Sequence, residues 1–441
     1  MKTLETLRFE IANLVQEYAN IKYVKKTFKP GRSIVPQSGK VMGATELQYM
    51  VDASLDGWLT TGRFNRKFEK ELSEFIGVKH LITVNSGSSA NLIAFSTLTS
   101  PKLNDKAVKK GDEVISVAAG FPTTVNPIVQ FGAIPVFIDV CLETHNVNVD
   151  LIEAGITPKT KVIMLAHTLG NPYNLERVKE LCCKYNLWLI EDCCDALGAK
   201  YNNKHVGTFG DIATCSFYPA HHITMGEGGA VFSNNSELIK ISESFRDWGR
   251  DCYCDPGCDN TCKKRFKQKI GSLPQGYDHK YTYAHLGYNF KISDMQAACG
   301  LAQLKRLPEF IEKRNSNFSY LKRKLNSLSD FIHLPEETQN STPSWFGFPI
   351  TLKENINRAA FIQHLDKHKI GARLLFAGNL TKQPYFQDIK YKIASDLTNT
   401  DIIMNQTLWV GIYPALEEEQ LDFIAEKFED CGLTPRWDRA A

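Results

Sequence analysis

Five short apolar runs, His80–Val84, Glu113–Val117, Pro135–Ile138, Val162–Ala166 and Trp188–Ile190, alternate with stretches of helical periodicity. Strands separated by helices bury both faces of a sheet, so this alternation predicts an α/β fold. A sixth run (Ile212, Ala213, Cys215, Phe217) leads into Gly226-Glu227-Gly228-Gly229 and a further short strand at Ala230–Phe232. The 441 residues suffice for a full core and two domains. A net charge of +3 gives no basis for nucleic-acid or membrane-surface binding. No uncharged apolar run is long enough for a transmembrane helix. The N-terminus is an amphipathic helix (Leu7, Ile11, Leu14, Val15, Tyr18) broken by charges, not a signal peptide, so a cytoplasmic location is expected. Twelve cysteines in a large chain without a secretion signal point to metal ligation or core packing more than to disulfides.

Three stretches carry chemistry. Asn85-Ser86-Gly87-Ser88-Ser89-Ala90-Asn91 follows a strand and precedes the apolar helix Leu92–Leu98. Free N–H groups at the positive end of a helix suit a phosphate, although such loops also serve only as turns. Glu191-Asp192-Cys193-Cys194-Asp195 ends the strand Trp188–Ile190, where ligands bind in parallel sheets. Cys252, Cys254, Cys258 and Cys262 fall within eleven residues among polar turn formers, and zinc is the first candidate for such a cluster. The run Ala44–Gly77 reads as two helices around a turn between Gly57 and Gly62. Lys263-Lys264-Arg265 is read most conservatively as a solvated basic turn, with a docking patch for an acidic partner face as the alternative.

The stretch Ser216–Gly229, SFYPAHHITMGEGG, resembles the lysine motif of the DegT/DnrJ/EryC1/StrS sugar aminotransferases. The frame is intact, but His221 stands where that family has the lysine that carries pyridoxal phosphate covalently. Imidazole cannot form that linkage and can move a proton near neutral pH. The resemblance spans about Gly43 to Leu421 and implies fold type I: an N-terminal helix and linker (1–42), a large cofactor domain (43–300) and a small C-terminal α/β domain (301–441). It implies that Gly87 and Ser88 cradle the cofactor phosphate, that Phe121 stacks on the pyridine ring, and that Asp192 pairs with the ring nitrogen. Ser216 and Asp195 also fall at cofactor positions; Asp195 departs from the family's usual glutamine. Asn289 would reach the cofactor phosphate of a neighbouring subunit, which implies a homodimer. Trp58–Gly62, Arg373 and Gln383-Pro384-Tyr385 would approach the substrate.

One subgroup, the sugar 3-dehydrases with a [2Fe–2S] centre, has the pattern Cys, fifty-seven residues, Cys, one, Cys, seven, Cys. Cys194, Cys252, Cys254 and Cys262 reproduce that spacing. A local set of Cys252, Cys254, Cys258 and Cys262 stays open on spacing alone. The resemblance implies a dehydrase that uses pyridoxamine phosphate and His221 to expel the C3 hydroxyl of a CDP-4-keto-6-deoxyhexose in dideoxyhexose and lipopolysaccharide biosynthesis. A separate NADH-dependent flavin or iron–sulfur reductase is implied as well, because the chain has no G-x-G-x-x-G nicotinamide fingerprint. Three alternatives stand beside this reading: a pyridoxal phosphate aminotransferase using another lysine such as Lys204, a 3-dehydrase for another nucleotide sugar, and a zinc-bearing regulator without activity.

Overall fold

The computed structural model describes residues 1–431 except 253, 255, 256 and 262. Its centre is an eight-stranded sheet in the order His80–Val84, Gly229–Ser233, Ile212–Ser216, Trp188–Asp192, Thr160–Ala166, Glu113–Val117, Ile134–Ile138, Lys392–Ile393. The pairings from Ile212–Ser216 to the Lys392 edge are parallel, and Gly229–Ser233 runs antiparallel to both of its neighbours. Glu113–Val117 and Ile134–Ile138 are buried along their whole length, as expected where helices cover both faces.

The predicted strands stand within a residue or two of their sequence limits. The helix after the serine-rich loop starts earlier than expected, at Gly87 instead of Leu92, because Ser86 caps it by accepting from Ser89 N at 3.0 Å. The Ala44–Gly77 run forms the helices Ala44–Leu55 and Arg63–Ile76. Phe64, Phe68, Leu72 and Ile76 make the buried stripe of the second helix. The Asp294 carboxylate accepts from Gly62 N (2.9 Å), Phe64 N (3.2 Å) and Asn65 N (2.8 Å), satisfying that helix's first donors.

Residues 301–431 contribute to more than one sheet. They build an antiparallel four-stranded sheet in the order Ile332–His333, Phe348–Leu352, Thr407–Val410, Ala372–Leu374. They also send Lys392–Ile393 to the edge of the large sheet. The N-terminal linker joins the smaller core: Val35 packs there and exchanges backbone bonds with Lys369 and Gly371. No helix among the described residues is long and apolar enough to cross a membrane.

Burial holds several imidazoles neutral. It pushes His145, His221 and His285 down to about 4, and His222 well below the ordinary imidazole range. Unfolded imidazoles take up protons below about 6.5, whereas these folded ones do not until about 4. The unfolded state therefore binds more protons in this window, and stability falls as pH drops from about 6.5 toward 4. Asp195, pushed up to about 7, opposes the trend by a single proton. Thermal melts should show Tm declining across that range, and a Tm that stays flat would contradict the neutral buried imidazoles.

Candidate active site

The parallel strands end at one cavity of about 740 Å³. Val117, Ala166, Asp192 and Ser216 reach it from the strand ends, the position at which open α/β sheets bind ligands. The facing wall comes from the smaller sheet and its approaches: Arg373, Phe376, Trp409 and Phe346, with Gln37 and Ser38 of the linker.

Ser86, Gly87 and Ser88 line the cavity at the N-terminus of the twelve-residue helix Gly87–Leu98. Gly87 leaves the cradle open, since a Cβ there would lie 2.5 Å from Ser216 Cβ and 3.1 Å from Cys194 Sγ. Gly229 brings its strand against the same loop, and a Cβ on it would meet the Ser86 carbonyl oxygen at 2.4 Å. Gly87→Ala is expected to cost about 1–3 kcal/mol through overpacking and to weaken phosphate binding. Melting temperature and retention of added cofactor read the two effects. A variant that matches wild type in both would show that the cradle does not need its open floor.

Asp192 is buried at the end of its strand. One carboxylate oxygen accepts from Asn91 Nδ2 (2.8 Å) and Thr124 Oγ1 (2.7 Å), and the other from Cys194 N (3.1 Å). Asn91 in turn accepts from Thr214 Oγ1 at 2.6 Å. These donors fix an anionic carboxylate at the cavity wall. Phe121 caps the helix Pro122–Phe131 at the rim, 50% exposed and edge-on to Phe376 at 5.8 Å. A large aromatic ring left open beside a carboxylate suits a flat heterocycle.

His221 lies in a tight turn closed by its own N–H to Tyr218 O at 2.9 Å, and it lines the cavity. Its Nδ1 is buried 3.4 Å from Asp195 Oδ1, without hydrogen-bond geometry, leaving Nε2 as the nitrogen open to the cavity. Burial pushes both groups toward neutrality: His221 down to about 4, helped by the Arg314 charge, and Asp195 up to about 7, helped by the Asp192 charge. His222 turns away, with its Nε2 on the Ser344 carbonyl at 2.9 Å.

The remaining expected residues are placed differently. Asn289 does not line the cavity; it accepts from Lys291 Nζ at 2.8 Å. Trp58 donates to Thr61 O at 2.8 Å, and Tyr385 to Asn126 at 3.0 Å, both outside the cavity lining. Arg373 does reach the cavity. No lysine among the described residues lines it, and Lys204 sits on the short strand Lys204–His205 away from it. Sequence reasoning missed Asn91, Thr124 and Arg314. Asn91 carried a signal, as a polar residue in an otherwise apolar helix.

The residues present fit pyridoxal or pyridoxamine phosphate: an open cradle at a helix N-terminus, an exposed ring and a buried carboxylate converge on one cavity. Of the four cysteines expected at an iron–sulfur centre, three are among the described residues. Cys194 Sγ lies in the cofactor cavity, whereas Cys252 and Cys254 border a separate crevice with His279 and Arg265. Cys194, Cys252 and Cys254 do not come together as a metal-holding set, Cys258 is exposed, and Cys262 lies outside the described residues. The one close donor set among the described residues is His167, Glu191 and Cys193. The Glu191 carboxylate there already accepts from Gly207 N, Phe209 N and Gly210 N, so a metal is not required to explain it. Arg265 of the basic turn is engaged with Asp278 (2.8 Å) and Asp259 (3.1 Å).

Residues 40–429 match the model of the DegT/DnrJ/EryC1/StrS aminotransferase family. The chain is 66% identical over 430 residues to the lipopolysaccharide biosynthesis protein RfbH of Salmonella typhimurium, covering 97% of this chain and 98% of that one. It is 48% identical over 406 residues to the dTDP-4-dehydro-2,6-dideoxy-D-glucose 3-dehydratase of Saccharopolyspora spinosa, covering 92% and 88%. Among solved structures, the E. coli GDP-4-keto-6-deoxy-D-mannose-3-dehydratase with bound hydrated PLP superposes with a TM-score of 0.80 at 27% identity, covering 90% of this chain and 100% of that one.

Proposed function

The chain belongs to the DegT/DnrJ/EryC1/StrS aminotransferase family and has fold type I, and within that family we propose that it is a nucleotide-sugar 3-dehydrase working with pyridoxamine phosphate. The observation that carries this reading is His221: it occupies the lysine position of the motif, faces the cofactor cavity, and has no lysine beside it.

When bound, pyridoxamine phosphate supplies an amine that captures the sugar's C4 ketone and a ring that stores electrons. The chain's own residues do the rest. Ser86, Gly87 and Ser88 hold the phosphate, Asp192 keeps the ring nitrogen protonated, and Phe121 covers one ring face. Neutral His221 takes a proton from C4′ of the cofactor. The imidazolium so formed returns that proton to the departing C3 hydroxyl, which leaves as water. A conjugate acid near 4 donates readily, which suits a poor leaving group. Asp195 lies behind Nδ1 at 3.4 Å, which leaves Nε2 as the nitrogen for the reacting carbon.

Without a lysine the cofactor is held non-covalently. Borohydride treatment of the protein with pyridoxal phosphate is expected to leave no lysine adduct, and dialysis is expected to strip the cofactor. A trapped lysine adduct would restore the aminotransferase alternative.

Four finer readings rest on less. The cytidine nucleotide is supported by resemblance alone, since the two named relatives with nucleotides carry dTDP and GDP sugars. Competition among CDP-, dTDP- and GDP-4-keto-6-deoxyhexoses tests it, and tenfold faster turnover of a non-cytidine sugar would remove it. The [2Fe–2S] centre is supported by cysteine spacing alone and enters no step above. Iron and labile sulfide in an anaerobic preparation test it, and Cys252→Ser and Cys254→Ser, unlike Cys258→Ser, should lose them. Completing the deoxygenation takes two electrons, which we assign to a separate NADH-dependent reductase. The homodimer with Asn289 serving the neighbouring site is supported by the resemblance of the Gly287–Lys291 segment alone.

A further inference from the structure

Behind His221 lies a charge that the reaction above does not use. Arg314, on the helix Leu307–Leu325, is 1% exposed. Its guanidinium donates to the carbonyls of Phe346 (2.9 Å), His221 (3.3 Å), Ala220 (3.4 Å) and Trp345 (3.5 Å). No carboxylate among the described residues lies within ion-pair distance of it, and burial holds it down to about 10 against the pull of the more distant Asp195. A buried cation satisfied only by carbonyls is costly to keep. Its acceptors explain what it joins: two carbonyls belong to the turn that presents His221, and two to the segment that forms the opposite wall. Phe346 also packs against the His221 ring at 5.2 Å and lies 5.9 Å from the guanidinium. His221, His222 and Arg314 share a crevice of about 10 Å³, room for no more than one water.

We propose that Arg314 is the positioning residue of the reaction, clamping the 220–221 turn to residues 345–346 so that the His221 ring is held at one place on the cavity wall. This rests on the reading of His221 as the base. The clamp also brings a fixed positive charge to the back of the imidazole. The charged or titratable groups facing His221 are Asp192 and Asp195 from the strand end, His222 beside it, and Arg314. Of these, Arg314 disfavours the His221 imidazolium and carries a permanent charge.

Arg314→Lys keeps the charge but cannot span four carbonyls, and Arg314→Met removes both charge and donors. The test titrates the ¹⁵N-imidazole signals of the apoprotein by NMR, with His221 assigned by its absence in His221→Asn, and follows C4′ hydrogen exchange in the loaded protein. Arg314→Met is expected to raise the His221 titration by about one pH unit. Exchange should slow about 10–100-fold in both variants while cofactor retention holds, as expected when the base is misplaced and the cradle is not. Arg314→Lys should leave the titration near wild type. Wild-type titration in Arg314→Met with wild-type exchange in Arg314→Lys would overturn the proposal. If Arg314→Met fails to fold, the Lys variant decides alone, and a wild-type exchange rate in it overturns the clamp. The base reading fails separately, by retained exchange in His221→Asn, and the imidazole titration is read without any turnover.

Discussion

His221→Asn is expected to slow exchange of the C4′ hydrogen of pyridoxamine phosphate with solvent by about 10²–10⁴-fold in the presence of substrate, the range for loss of a positioned general base. Asparagine preserves the approximate size of the ring and leaves the phosphate cradle and Asp192 untouched, so cofactor retention should stay near wild type. The variant therefore separates chemistry from binding. His222 cannot substitute without rebuilding the turn, because its Nε2 is held by the Ser344 carbonyl on the far side. Exchange at the wild-type rate would assign the proton transfer to another group. Asp195, with a carboxyl pushed up to about 7 by burial, would then be the first to examine.

Asp192→Asn is expected to produce the second large effect. The carboxylate is positioned by Asn91, Thr124 and Cys194 N and has no cation of its own on this chain within ion-pair distance among the described residues. A protonated ring nitrogen would be that cation. Removing one member of a buried charge pair costs about 3–5 kcal/mol, so cofactor affinity should fall by roughly 10²–10⁴-fold. Equilibrium dialysis against pyridoxamine phosphate measures it directly. C4′ exchange should slow further even at saturating cofactor, because an unprotonated ring is a weaker electron sink. Affinity within a factor of three of wild type would show that Asp192 does not pair with the ring.

Much of this architecture was written in local pattern. The strands of the large sheet could be read because each is a short buried apolar run closed by a turn, and the phosphate loop because small residues stand between a strand and a helix. His221 and Asp192 were legible only through the motif frame, since nothing in periodicity separates a cavity carboxylate from a capping one. Arg314 was legible in principle. It falls on the buried stripe Leu307, Phe310, Arg314, Asn317, Leu321, where an arginine is out of place. It was hidden by the charged residues around it. Apart from Arg373, the far wall of the cavity was not legible, because Gln37, Phe346 and Trp409 meet only through tertiary packing. The cysteines show the opposite limit. Their spacing matches a ligand pattern, but sequence separation does not fix distance, and Cys262 lies outside the described residues. Lys392–Ile393 was also out of reach, since a two-residue edge strand carries no periodic signal.

The central claim is that a cofactor site built for amino transfer has become a dehydration site by placing an imidazole where the lysine stood. Oxygen exchange at C3 tests it most directly. The protein, pyridoxamine phosphate and a CDP-4-keto-6-deoxyhexose are incubated without reductant in ¹⁸O-labelled water, and the recovered sugar is weighed by mass spectrometry. Reversible loss of the C3 hydroxyl predicts label entering at C3 in wild type, none in His221→Asn, and no amino sugar in either. An amino sugar with unlabelled C3 oxygen would contradict it.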